Sequence, residues 1–280
     1  NILLNHFFRI FFLFFLKNIK NIDIIFVPNI YSPLFHGKAK VYNLIHDGQW
    51  LIYPEYFSFL RKIWFRINYY IINHKRNNCI FTTEYLKKQY RNLIPNNNSE
   101  VISLPFYKFD KKFKRIKTIE NKKFNLILSS NLPHKNIELI KKVQKKRIDK
   151  FKNIYLVIAG IGQTYNFDRN NKILNLGEVS ENEKHWLLNK CKNFIIPSLY
   201  EGFGMIMIES MIHSKRIISS YKTSLIEIGN NSINYIMSPK SEKEWNKKIF
   251  YFKKKKVKKF NTKIYTQKII KNYTDLFLNN

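Results

Sequence analysis

The stretch PSLYEGFGMIMIES, residues 197–210, follows the apolar run NFII and divides into three parts. Asn193–Pro197 has the short, continuous apolar character of a strand buried on both faces. Ser198–Gly204 is a polar, glycine-bearing loop, and the apolar residues from Met205 onward have helical length. A strand that feeds a helix through such a loop is the repeating unit of a parallel α/β sheet, in which ligands sit beyond the carboxyl ends of the strands.

Two carboxylates, Glu201 and Glu209, stand in this loop and helix with seven residues between them. Gly202 and Gly204 let backbone approach a ligand closely, and the first N–H groups of a helix lack internal partners. A phosphate gains those hydrogen bonds together with the helix dipole, while carboxylates accept hydrogen bonds from sugar hydroxyls. One loop can therefore hold a phosphate and a sugar together. On spacing alone, a glutamate near a helix start is equally a favourable charge–dipole pair.

Two further elements have the same strand–loop–helix form. In SSNLPHKNIELI, residues 129–140, Lys135 opens a helix, where it can reach a phosphate as a point charge or be an ordinary surface lysine. In NLIHDGQWLIYPEYFS, residues 43–58, His46 and Asp47 end a strand. His46 can bind substrate or move a proton, or be structural, and Asp47 can cap the following turn.

Outward from these loops the alternation continues along the chain. IDIIFVP, KVYNLIHD, CIFTT and EVISLP are strand-like, with helices expected over 55–75 and 83–93. From residue 124, FNLILSS, NIYLVIAGIG, KILNLGEV, NFIIPS, RIISS and INYIMSP give six expected strands. Helices are expected over 135–149, 181–190, 204–213, 223–229 and 241–256, and a last one over 262–278. YKFDKKFKRIKTIENKK, residues 107–123, lacks a sustained apolar face and has the character of a linker or edge segment.

With 280 residues the chain has room for two domains. The formal charge of +31 suits phosphates, anionic lipid or nucleic acid, but Lys and Asn recur throughout with Ile, Tyr and Phe, so charge alone names no partner. Two cysteines, Cys79 and Cys191, exclude a disulfide framework and a cysteine-only zinc site and fit a reducing cytoplasm. The opening NILLNHFFRIFFLFFLKNIKN is interrupted by Arg9 and is too short to span a bilayer, so a buried or membrane-surface helix is expected there. No His pair at metal-binding spacing, no Asp-x-Asp pair, no Lys-Ser/Thr phosphate loop and no nucleophile elbow occurs.

Taken together, the order and spacing of PSLYEGFGMIMIES, LPHKNIELI, LGEVSENEKHWLLNKCKNFIIPS and SSYKTSLIEIGNN resemble the glycosyltransferase group 1 family, the family 4 retaining nucleotide-sugar glycosyltransferases. The resemblance is strongest over residues 124–240, and HD at 46–47 resembles the family's first-domain motif. It implies an α/β fold of GT-B architecture with two Rossmann-like doubly wound domains. The expected division is 1–119 for a partial amino-terminal acceptor-side domain with its linker, 120–258 for the nucleotide-sugar domain, and 259–280 for a helix returning to the first domain. Nothing before residue 21 resembles the family's opening strand and glycine loop, so that part is expected to be missing.

The resemblance implies catalytic roles for Glu201, which would contact the donor sugar, for Lys135, which would neutralise the leaving diphosphate, and for His46. Glu209 would hold the nucleotide ribose, and Gly202, Phe203, Gly204, Met205 and Asp47 would complete the binding surface. Ser129, Ser130 and Asn131 stand where family members often carry an arginine, so Lys135 would carry the phosphate charge alone. The implied activity is metal-independent transfer of a hexose-type sugar, with retention and no cofactor, from a nucleotide diphosphate sugar to a glycan or lipid-linked acceptor. Lipopolysaccharide, capsule or another surface glycan is the expected product. The expected location is the cytoplasm, peripheral at an anionic inner membrane face that the basic run at 253–259 would meet. A truncated, inactive nucleotide-sugar-binding protein is the main alternative, an epimerase of the same fold a further one. A nucleic-acid-binding protein lacks a recognition motif.

Overall fold

The computed structural model describes residues 22–278, apart from 30, 76, 96–97, 107–111, 148–152, 163–164, 214–215, 230–232 and 252–259. The apolar opening segment and the basic run at 253–259 lie outside the described residues. The chain divides into two units, Asn1–Pro105 with Gln267–Asn280, and Phe106–Thr266.

Among the described residues the first unit holds four parallel strands, β1 (Ile24–Val27), β2 (Lys40–Ile45), β3 (Asn78–Phe81) and β4 (Ser99–Val101), lying in chain order. Between β2 and β3 run a short helix α1 (Gln49–Ile52), a 3-10 turn (Pro54–Tyr56) and α2 (Phe59–His74), and α3 (Glu84–Tyr90) joins β3 to β4. Ser58 and Thr83 cap α2 and α3 by accepting from the amides of Arg61 and Leu86, which satisfies N–H groups the helices leave open. Ile45, Phe65, Ile72, Phe81 and Tyr90 form the core against the sheet.

A polar chain inside this core fixes the loop after β2. The Tyr90 hydroxyl accepts from Trp50 Nε1 and from the Tyr69 hydroxyl and donates to the Asp47 carbonyl, each at 2.9 Å. Burial raises the pKa of both tyrosines, so they stay protonated and remain donors.

Among the described residues the second unit holds a seven-stranded sheet of β5 (Lys123–Leu128), β6 (Ile154–Ala159), β7 (Asn166–Asp168), β8 (Ile173–Asn175), β9 (Asn193–Ile196), β10 (Arg216–Ser220) and β11 (Asn234–Ile236), in the order β11-β10-β9-β5-β6-β8-β7. All neighbours are parallel except β7 and β8. The six expected strands are present. The seventh, Asn-Phe-Asp, is too short and polar to show an apolar alternation. Its helices are α4 (Ile137–Lys145), α5 (Glu181–Lys190), α6 (Met205–Ile212), α7 (Ser224–Gly229) and α8 (Glu242–Asn246), the last running into a π-helical turn at Lys247–Tyr251. Ile127, Ile140, Leu156, Ile195, Ile218 and Trp245 make up much of its core.

The polar stretch after Pro105 belongs to this unit. Ile119 is fully buried, and Lys114 reaches Glu183 at 2.9 Å. The last helix, α9 (Thr262–Leu278), begins in the second unit and ends in the first. There Phe277 meets Phe26 and Tyr42 edge to face at 5.8 and 5.2 Å, and Tyr273 meets Phe26 at 6.2 Å.

The strand order decides where a ligand can bind. From β5 the chain moves outward through β6 and β8, then returns to place β9 on the opposite side of β5. The connections leaving β5 and β9 therefore part in opposite directions, the point beyond whose strand ends a parallel sheet takes its ligands. The loops at this point carry Lys135 and Glu201.

Candidate functional site

After β5 the chain turns through Pro133–Lys135, and Asn136 takes a left-handed φ of 55° before α4 begins. After β9 it turns through residues 197–204 into α6. The loops are joined by backbone, Leu199 N–H donating to the His134 carbonyl at 2.7 Å. Lys135 Nζ lies 2.7 Å from Glu201 Oε1, and both side chains are about 15% exposed. A charge-assisted bond this far from solvent is screened little by salt.

Glu201 is held from four directions. Its Oε1 also accepts from the Ser198 hydroxyl at 2.7 Å. Its backbone N–H donates to Thr223 Oγ1 at 3.1 Å, and its carbonyl accepts from the Ser224 hydroxyl at 2.9 Å. Thr223 has φ 51°, a conformation that costs a β-branched residue energy and that gathers at functional sites.

Gly204, with φ 89° and ψ 46°, is the residue from which α6 starts. The left-handed conformation favours glycine, and a β-carbon there would lie a tight 3.2 Å from Leu225 Cδ2. Gly202, Phe203 and Gly204 are buried and Met205 is half-buried. Phe203 anchors the loop, and the start of α6 has no side-chain cap.

Glu209 stands in the second turn of α6, facing α5. Lys184 Nζ from α5 meets Glu209 Oε1 at 3.0 Å and Glu181 Oε2 at 2.8 Å. Burial pushes the Glu209 carboxyl above its usual range, opposed by the Lys184 charge. Burial also works against charge on Lys184, but its bonds to Glu181 and Glu209 raise its pKa on balance. Lys184 escaped notice in the sequence because it is one lysine among many, three residues into a helix. Ser198, Thr223 and Ser224 likewise carry no signal beyond lying in or near the two glutamate-bearing segments.

His134, beside Lys135, is 3% exposed, with its ring edge-on to Tyr200 at 6.3 Å. Burial and then the Lys135 charge lower its pKa to about 4, so it is neutral near pH 7.

His46 and Asp47 belong to the first unit. With Tyr31, Gln49, Arg61 and Phe65 they line a cavity of about 260 Å³. Asp47 accepts the Gln49 amide through its side chain, so it caps the turn, and Gln89 Nε2 donates to the Gly48 carbonyl at 2.9 Å. Arg61 stacks over Phe57 and Phe65 at 5.2 and 5.6 Å. Among the described residues no group of three His, Cys, Asp or Glu side chains is placed to hold a metal ion.

The second unit thus offers two lysine-paired carboxylates and a helix start without a side-chain cap at the strand-order reversal, which suits a ligand with both phosphates and hydroxyls. The chain is similar to several known proteins. The O-antigen chain mannosyltransferase RfbU of Salmonella typhimurium is 29% identical over 212 residues, which are 73% of this chain and 58% of that protein. The chain therefore spans little more than half the length of that relative. Anabaena Alr3699/HepE, solved in complex with UDP-glucose, superposes with a TM-score of 0.65 at 13% identity, over 90% of this chain and 79% of that one. Sucrose-phosphate synthase from Thermosynechococcus elongatus gives 0.64 at 14% identity, over 87% and 69%. These likenesses establish the GT-B fold, with a Rossmann-like sheet in each unit. Residues 108–271, more than half of the chain, match the glycosyl transferases group 1, and the protein belongs to that family.

Proposed function

We propose that the chain is a glycosyltransferase that moves a hexose-type sugar from a nucleotide diphosphate sugar to an acceptor hydroxyl in surface glycan synthesis. The observation that carries this is the Lys135–Glu201 pair at 2.7 Å, beside the open amides that start α6 and at the point where the strand order reverses. Charge develops on the departing diphosphate as the glycosidic bond breaks. Lys135 and the α6 amides supply fixed positive charge where that happens, with no reorganisation needed at the moment of reaction.

Glu201 accepts hydroxyls of the donor sugar and Glu209 those of the ribose, and binding at these positions fixes the anomeric carbon relative to Lys135. His46 and Asp47 belong to the first unit, read as the acceptor side, and the resemblance of HD to the family's first-domain motif gives His46 a catalytic role. The reaction proceeds with retention and without a metal ion, since Lys135 and the helix start take the place of a cation at the diphosphate. The similarity to an O-antigen mannosyltransferase supports a glycan or lipid-linked acceptor. Work at such an acceptor places the protein at the cytoplasmic face of an anionic membrane. Among the described residues no helix is long and apolar enough to cross one.

The test is a product assay with a panel of nucleotide diphosphate sugars, with and without a chelator, and with the anomeric configuration of the product read by NMR. Lys135→Ala and Glu209→Ala should each lower turnover at least about tenfold, within the scale of removing a preorganised group. Wild-type rates in both variants would overturn the assignment. Donor binding by calorimetry without transfer to any acceptor would instead favour a chain that binds donor only.

A further inference from the structure

We propose that the outward face of α2 is the surface by which the first unit lies on an anionic membrane. This deepens the membrane part of the proposed function and does not depend on the transfer chemistry. Helix α2 buries Phe65, Asn68, Tyr69 and Ile72 in the first unit, where Trp50 stacks on Tyr69 at 5.4 Å. That face alone accounts for its packing. The opposite face is also apolar: Phe59 is 71% exposed, Leu60 73%, Ile67 46% and Tyr70 68%, with Ile63 beside them at 36%. At 3.6 residues per turn these five side chains fall on one arc of roughly 100°, continuous along the helix. Single exposed apolar residues are ordinary on a protein surface, but a contiguous strip marks a contact surface.

Charge selects the partner. From residue 59 to 75 there are four lysines or arginines, Arg61, Lys62, Arg66 and Lys75, and no aspartate or glutamate. Arg66 is exposed on the edge of the apolar arc, and His74, stacked on Tyr70 at 5.6 Å, lies within it. The nearest acid before the helix is Glu55, in the preceding turn. A second copy of this chain would bring the same positive helix against itself, which is repulsive in a self-complementary interface. An anionic bilayer complements both features: its headgroups meet Arg66 at the edge of the arc and its acyl boundary takes Phe59, Leu60, Ile63 and Ile67, with Tyr70 at headgroup level.

Flotation of the full chain with phosphatidylcholine vesicles containing phosphatidylglycerol tests this. Binding is expected at low salt, weaker in 1 M salt and weaker still on phosphatidylcholine alone. The double variant Ile63→Asp/Ile67→Asp should bind at least about tenfold more weakly, and Arg66→Glu should weaken binding mainly at low salt. Both changes lie on an exposed face, and unchanged thermal melting and calorimetric nucleotide-sugar binding would show that the variants fold. In Tyr70→Trp the indole emission should shift to the blue on adding vesicles. Wild-type protein that does not float would overturn the proposal. Undiminished flotation of the double variant would also do so, placing the contact at residues 1–21 or 253–259 instead. So would light scattering that shows a dimer dissociated by Ile63→Asp without vesicle binding. Nucleotide-sugar binding stands or falls independently of all these outcomes.

Discussion

Lys135 and Glu201 meet at 2.7 Å although 66 positions separate them in the chain. Each stands in the loop that leaves one of two adjacent parallel strands, β5 and β9, and the register of those strands brings the loops together. The pair suits a donor site in two ways. It keeps both side chains in fixed orientation, and a diphosphate arriving at the strand ends can share the Lys135 ammonium while sugar hydroxyls replace it on the carboxylate.

A double-mutant cycle on this pair measures that arrangement. Lys135→Met and Glu201→Gln each lower turnover about tenfold or more, while in the absence of donor their stabilities couple by about 0.5–3 kcal/mol. Urea denaturation of the four proteins checks the coupling. Strictly additive stabilities would mean that Lys135 does not bond Glu201 in solution.

Glu209 depends on Lys184. In Lys184→Met the long stem is kept and the charge is lost, so burial and the Glu181 charge act unopposed on the Glu209 carboxyl and its pKa rises further. A protonated carboxyl accepts fewer hydroxyls. KM for the nucleotide-sugar should therefore rise several-fold with kcat less affected, and the rise should grow as the pH is lowered. A KM equal to wild type at every pH would remove Lys184 as a positioning residue.

Much of the second unit was legible in the sequence because parallel strands buried on both faces are short continuous apolar runs, and FNLILSS, NIYLVIAGIG and NFIIPS stand out between polar loops. The loop ends followed from the same pattern, and with them Lys135, Glu201 and Glu209. Partners were not legible. Lys184 reaches Glu209 from the preceding helix, and Thr223 and Ser224 clamp the Glu201 backbone from 22 and 23 residues away. Such pairings depend on strand order, which a single sequence does not state. In the first unit the HD pair was visible, but the Trp50–Tyr90–Tyr69 chain that anchors it was not, because buried aromatic hydroxyls look like any other core aromatic.

Gly204→Ala tests the start of α6. A left-handed conformation costs an L-residue about 1–2 kcal/mol, and the new methyl lies 3.2 Å from Leu225 Cδ2. The urea midpoint should fall by an amount equivalent to at least this cost. Donor binding should weaken as well, because the first amides of α6 turn away from the donor site. A variant as stable as wild type would show that the loop adopts another path.

His134 makes stability depend on pH in a defined window. Its pKa is about 4 in the folded chain, lowered by burial and by Lys135, against about 6.5 in an unfolded one. Between these values the unfolded chain holds the extra proton, so acid favours unfolding. The contribution of this residue is fully present above about pH 6.5 and declines as the pH falls toward 4. Glu209 acts in the opposite sense: its raised pKa lets the folded chain bind a proton first, so its contribution is lost as pH rises. The two are separated by substitution. His134→Gln should flatten the fall in melting temperature between pH 6.5 and 4.5, whereas Glu209→Gln should steepen it. Superimposable pH profiles for wild type and His134→Gln would show that the imidazole is not held neutral beside Lys135.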